Sequence, residues 1–125
     1  MVARTPSPGD IYFLPPEIEQ LGESAHGHPC LVTVTYIRES KALVMFMSSK
    51  LGLANESEDF FIYEQDEDFK ATGLRYTSFI RKSNSKKGIS EIEVDFADLN
   101  SKRYFGKLEG ELKTRFEKWL GDSLG

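Results

Sequence analysis

Two apolar runs joined by a four-residue polar turn constrain the fold of this chain more than any other feature. They are CLVTVTYI (residues 30–37), RESK (residues 38–41) and ALVMFMSS (residues 42–49). In the first run Val32, Val34 and Tyr36 alternate with Thr33 and Thr35, the period of two that marks a strand with one buried face. The second run is apolar at nearly every position until its serines. That is the pattern of a strand buried on both faces, and so of a central one. The pair predicts a β-hairpin with its turn at residues 38–41.

The rest of the chain supplies partners for that hairpin. Pro8, Gly9 and Asp10 form a turn signal ahead of IYFL, and Pro15 and Pro16 end the run because proline cannot donate to a ladder. A short first strand over residues 10–14 follows, and then a long loop over residues 15–29, of the kind that is often functional. FFIYE (60–64), LRYTSFIR (74–81) and ISEIEVDF (89–96) are further strand candidates. The last has Ile92, Val94 and Phe96 on one face. A polar turn at residues 82–88 separates the last two. At the C-terminus the period changes: Leu108, Leu112, Phe116 and Leu120 recur every four residues, with Trp119 beside them, which predicts an amphipathic helix. Glu109 with Lys113 and Glu111 with Arg115 are spaced as i,i+4 pairs, and Gly121 reads as the stop. The fold expected is mainly β with α: five to six antiparallel strands in a small closed or half-closed barrel, with one C-terminal amphipathic helix over an opening.

With 125 residues, 39% of them apolar, the chain can build one core and is too short for two domains. No apolar run approaches the roughly 18–20 residues that a membrane-spanning helix needs. MVARTPSPGD lacks the apolar stretch of a signal peptide. The single cysteine, Cys30, lies among Pro29, Leu31 and Val32, which predicts an inert buried thiol, and its isolation favours a cytoplasmic location. The net charge of −4 is unevenly spread. Residues 1–70 hold twelve acids against five bases, and residues 71–125 hold eight against eleven. Seven carboxylates and no base crowd into residues 56–69, which predicts a solvated acidic loop. An acidic protein is a poor nonspecific nucleic-acid binder, but a local basic face is compatible with the second half.

Common cofactor chemistry has no motif here. His26 and His28 have no cysteine cluster beside them to make a metal site. No glycine loop stands between a strand and a helix to cradle phosphate, and there is no G-x-S-x-G element. No cofactor is expected. What remains is a site built from loops. His26 and His28 precede Pro29 at the mouth of the hairpin, and an imidazole there can take or return a proton near neutral pH. Solvated histidines in a surface loop are the plainer alternative. Ser48 and Ser49 end the neighbouring strand, where a serine pair also suits a turn. Arg75, Arg81, Lys82, Lys86 and Lys87 place cations around one strand and its turn. Metal-free phosphodiester cleavage uses these parts: a base for a ribose 2′-hydroxyl, cations and hydroxyls for the developing charge, and an acid for the leaving oxygen.

The order of these elements resembles the MazF/PemK family of toxins from type II toxin–antitoxin systems. PGDIYFLPP (8–16) is similar to the family's opening strand, GHPCLVTV (27–34) to its second strand, and ALVMFMSSK (42–50) to its third, which ends in a hydroxyl pair. TGLRYTSFIR and FGKLEGELKTRFEKWLG resemble the late strand and closing helix more weakly. The resemblance implies an SH3-like barrel, usually a homodimer, that cuts single-stranded RNA without a metal and is held by a cognate antitoxin. It further implies that Ser48 stands at the family's catalytic hydroxyl and Pro29 at its proline. The residue before that proline, an arginine in the family, is His28 here. Either His28 acts as the acid or base, or the site is weakened, or Arg75 or Arg81 supplies the missing charge. The expectation is an endoribonuclease with His28 and Ser48 catalytic, and with His26, Ser49, Lys50, Arg75 and Arg81 on the RNA. The alternative is a non-catalytic SH3-like module that binds a protein, either a degenerate toxin or a relative of the gyrase-targeting ones.

Overall fold

A computed structural model describes residues 5–14, 28–81 and 92–124 of the chain. Seven strands, β1 (Asp10–Leu14), β2 (His28–Tyr36), β3 (Lys41–Ser48), β4 (Phe60–Ile62), β5 (Ser78–Ile80), β6 (Ile92–Asp95) and β7 (Tyr104–Lys107), precede one helix, α1 (Gly110–Leu124). All the pairings are antiparallel, in the order β4-β5-β3-β2-β1-β7, with β6 also on β3. The mainly-β architecture with a closing helix is therefore as expected, with one more strand than the five to six anticipated. No helix among the described residues is long and apolar enough to cross a membrane.

β3 is central, as its unbroken apolar run predicts, and it is forked. One edge carries β2. The other is shared: Lys41–Val44 pairs with β6, and Met47 and Ser48 pair with β5. Its alternate residues feed two separate cores. Met45 and Met47 join Ile11, Leu31, Phe60, Ile62 and Ile80 under α1, which contributes Leu112 and Phe116. Ala42 and Val44 join Tyr12, Leu14, Cys30, Val32, Val94 and Leu99 on the opposite face. A strand that buries both faces has no polar positions to spare, which is why its sequence does not alternate.

Several expectations change. The turn occupies residues 37–40, with Ser40 at φ 53 and its N–H donating to the Ile37 carbonyl at 3.2 Å. β2 begins at His28, two residues early, and carries a bulge at Thr33, because Val32 pairs with Val44 but Val34 pairs with Leu43. One extra residue exchanges faces. Val32 is buried, whereas Val34 and Tyr36, which the simple alternation puts on the same face, are exposed. Only Ser78–Ile80 of residues 74–81 is strand, because Gly73 turns the chain at φ 73 and Leu74 dives into the core. The expected turn at residues 82–88 lies outside the described residues.

β7 has no counterpart among the strands expected. It zips onto β1, and the short turn Lys70–Thr72 lies flat on its backbone. A side-chain carbon at Gly106 would overlap the Ala71 carbonyl, and one at Gly73 would overlap that of Phe105. These two glycines let the turn at residues 70–73 lie directly against β7.

The acidic segment is structural as well as solvated. Phe60–Ile62 inside it forms β4, and Asp59 is buried and accepts the Asn55 N–H at 2.8 Å. Asp68 accepts the Glu111 N–H at 3.1 Å and so caps α1. Arg115 bonds Asp66 at 3.0 Å instead of forming the expected pair with Glu111, since a half-buried carboxylate outcompetes an exposed one. Glu109 precedes the helix and pairs with Lys107 at 3.3 Å instead of Lys113. Nor does Gly121 stop α1, which runs to Leu124, because a glycine without positive φ is only a weak helix former.

Candidate functional site

The β2–β3 ladder brings the mouth of the first loop to the end of the central strand. Its pairs run Cys30 with Phe46, Leu31 with Met45 and Val32 with Val44. The ladder ends at the pair of Cys30 and Phe46; two residues beyond it, His28 opens β2 and Ser48 closes β3. Residues opposite each other in an antiparallel pair share a face. By the two-residue alternation His28 lies on the face of Cys30 and Ser48 on that of Phe46, so both belong to one face at one end of the sheet.

Each residue is held by its neighbours. His28 opens β2 and pairs with Leu14 of β1, and its ring centroid lies 6.0 Å from that of Phe46. Ser48 closes β3 and pairs with Phe79 of β5. Its Oγ accepts the Lys50 N–H at 3.1 Å, a local turn that fixes where the oxygen points. The hydroxyl keeps its own proton as a donor. Ser49 and Lys50 follow, both exposed. Arg81 is exposed directly after Ile80, which pairs with Met47, so it leaves β5 level with Phe46. Arg75, also exposed, lies before the other end of β5. His26, Lys82, Lys86 and Lys87 lie outside the described residues.

Cys30 is wholly buried beside this site. Burial pushes its thiol up to about 12, although a backbone hydrogen bond from Tyr12 opposes the shift. A thiol in that state is neither nucleophile nor ligand at neutral pH. Among the described residues no three of His, Cys, Asp and Glu gather as a metal site requires.

The same face carries aromatic rings that the sequence did not single out. Ser48 pairs with Phe79, and Phe79 with Phe61 of β4. The Phe79 and Phe61 centroids are 5.9 Å apart, and Phe61 stacks on Tyr63 at 5.6 Å with the rings 9° from parallel. The alternating Phe61 and Tyr63 of FFIYE and the single Phe79 of SFIR were the visible signal. What hid their meaning was the pairing across β3, β5 and β4, which joins segments distant in sequence. No protein-family model matches the chain, and comparison with curated proteins finds no matching relative.

Proposed function

We propose that this protein is a metal-independent endoribonuclease of the MazF/PemK type, on an SH3-like barrel, with His28 and Ser48 at its centre. One observation supports this above the rest: an imidazole residue opens β2 and a hydroxyl residue closes β3, each two residues beyond the Cys30–Phe46 pair that joins the two strands. Lys50 follows Ser48 by two residues, and Arg81 follows Ile80, which pairs with Met47; both are exposed. In this reading His28 removes the 2′-hydroxyl proton and the 2′-oxygen attacks phosphorus. The Ser48 hydroxyl and the two cations stabilise the charge gathering on the phosphate oxygens. The 5′-oxygen departs with a proton taken from water, His28 gives its proton back to solvent, and a 2′,3′-cyclic phosphate is left. A homodimer and an antitoxin partner belong to the same reading.

The test is incubation of the purified chain with mixed-sequence RNA in EDTA, with the product ends mapped. Cyclic phosphate ends are expected. His28→Ala and Ser48→Ala should each slow cutting by roughly 10²- to 10³-fold. Uncut RNA, or full activity in His28→Ala, overturns the proposal.

A binding module that cuts nothing is favoured by one observation. Val34, Tyr36 and Ile37 are 39%, 42% and 64% exposed at the far end of β2, an apolar patch suited to a protein partner. Growth arrest with unbroken RNA is the result expected in that case.

A further inference from the structure

Between the acidic segment and α1 lies an open cavity of about 390 Å³. Its walls are aromatic. Phe60 is buried, and its ring centroid lies 5.8 Å from that of Trp119. The indole is held in place, because its N–H donates to the Glu58 carbonyl at 2.7 Å. On the β4 side Tyr63 lies flat on Phe61, with the centroids 5.6 Å apart and 44% of its surface open. Arg115 rests its guanidinium carbon 5.7 Å from the centroid of Phe60, so one wall already holds a cation of the chain's own. That cation is engaged by Asp66 and the Phe61 carbonyl. Glu56 and Asp122, both exposed, and the buried Asp59 also line the cavity. Lys118 is the one other base in the lining among the described residues. The last turn of α1, next to Asp122, carries no basic residue, so its carbonyls add partial negative charge.

We propose that this cavity docks an arginine side chain from a basic segment of a partner protein, with the guanidinium on the open face of Tyr63 and its charge toward Glu56 and Asp122. Such docking stands whether or not the protein cuts RNA. Three sources of one sign favour it: the carboxylates, the negative faces of the aromatic rings and the C-terminal end of a helix. The surrounding segment reinforces them, since residues 56–69 hold seven carboxylates and no base. An anion meets repulsion from each of the three. A neutral apolar side chain would cover the rings but strip water from the carboxylates without replacing it. A guanidinium satisfies both, because its plane stacks on a ring while its fork donates to carboxylates, and it sheds water more readily than an ammonium. The volume is near the small end of the roughly 300–1,000 Å³ of ligand sites, which suits one or two side chains of an extended segment.

Trp119 is the chain's one tryptophan and so reports on the cavity. The experiment titrates the purified chain with hexa-arginine, hexalysine and hexacitrulline, an uncharged analogue, while the Trp119 emission is followed. A saturable change is expected with hexa-arginine, a weaker one with hexalysine and none with hexacitrulline. Glu56→Gln combined with Asp122→Asn should weaken hexa-arginine binding roughly 3- to 10-fold, and Tyr63→Leu roughly 2- to 5-fold, while Tyr63→Phe should match the parent. Glu39→Gln combined with Asp95→Asn removes the same charge from exposed positions at the β2–β3 turn and β6, and should change nothing. Circular dichroism checks that each variant is folded. No emission change with hexa-arginine, an equal affinity for hexacitrulline, or the same loss in both charge-removed proteins overturns the proposal. A single-stranded RNA decamer that shifts Trp119 emission at lower concentration than hexa-arginine does so too.

Discussion

Arg115, in the middle of α1, grips Asp66 with one guanidinium nitrogen at 3.0 Å and the Phe61 carbonyl with the other at 2.9 Å. The fork ties the helix to β4, an outermost strand of the sheet, and occupies an edge carbonyl that another chain could otherwise pair with.

Arg115→Ala should therefore cost more than an ordinary surface substitution, about 1–2 kcal/mol, since it leaves Asp66 half-buried without its cation. Arg115→Lys should recover only part of this, because an ammonium cannot serve both acceptors in a plane. Thermal unfolding followed by circular dichroism measures both. An Arg115→Lys variant that melts at the same temperature as the parent would remove the fork from the account.

Two glycines should respond in opposite directions. Gly106→Ala places a methyl against the Ala71 carbonyl and should destabilise by up to about 3 kcal/mol. Gly121→Ala meets nothing within 4 Å inside a helix and should stabilise by roughly 0.5–1 kcal/mol. Chemical denaturation of the two variants side by side reads the difference.

Cys30 should be silent toward iodoacetamide at neutral pH in the folded protein and reactive once urea unfolds it. Its thiol moves from an ordinary 9.0 to about 12 on folding, so the folded state holds its proton more tightly. The stability this brings is fully present below pH 9 and is lost as the pH climbs toward 12, at no more than about 1.4 kcal/mol per pH unit. Cys30→Ala should flatten that part of the stability curve, and an unchanged slope would show the thiol to be irrelevant there.

Asp68→Ala should cost about 1 kcal/mol by uncapping the Glu111 N–H at the start of α1. Hydrogen exchange of the Glu111 amide should quicken while that of the central strands holds.

Local pattern made much of the fold legible. β1 spans the residues that its flanking turn and prolines mark out, the unalternating run of β3 announced a central strand, and the four-residue spacing of Leu112 and Phe116 gave the helix its buried side. The failures share a cause: each depends on a partner far away in sequence. The bulge at Thr33, whose hydroxyl donates to the Leu43 carbonyl at 3.2 Å, is invisible without the facing strand. β7 is only four residues long and is defined by its neighbour β1. Asp66 and Asp68 look like solvent charge until α1 arrives to use them. The candidate site divides along the same line. His28 and Ser48 sit at the ends of two strands joined by a local hairpin, a relationship short-range pattern can suggest, whereas the Phe79, Phe61 and Tyr63 row needs β5 and β4 in place.

The forked strand also governs how the chain must reach this state. The hairpin of β2 and β3 closes over a handful of residues, but Lys41 must wait for Glu93, 52 positions downstream, before the second half of its edge is filled. Closing loops of that size before any contact rewards them makes for slow folding. Until β5 and β6 dock, the most apolar strand of the protein presents a bare edge, so the newborn chain is at its most aggregation-prone while its C-terminal third is still to be made.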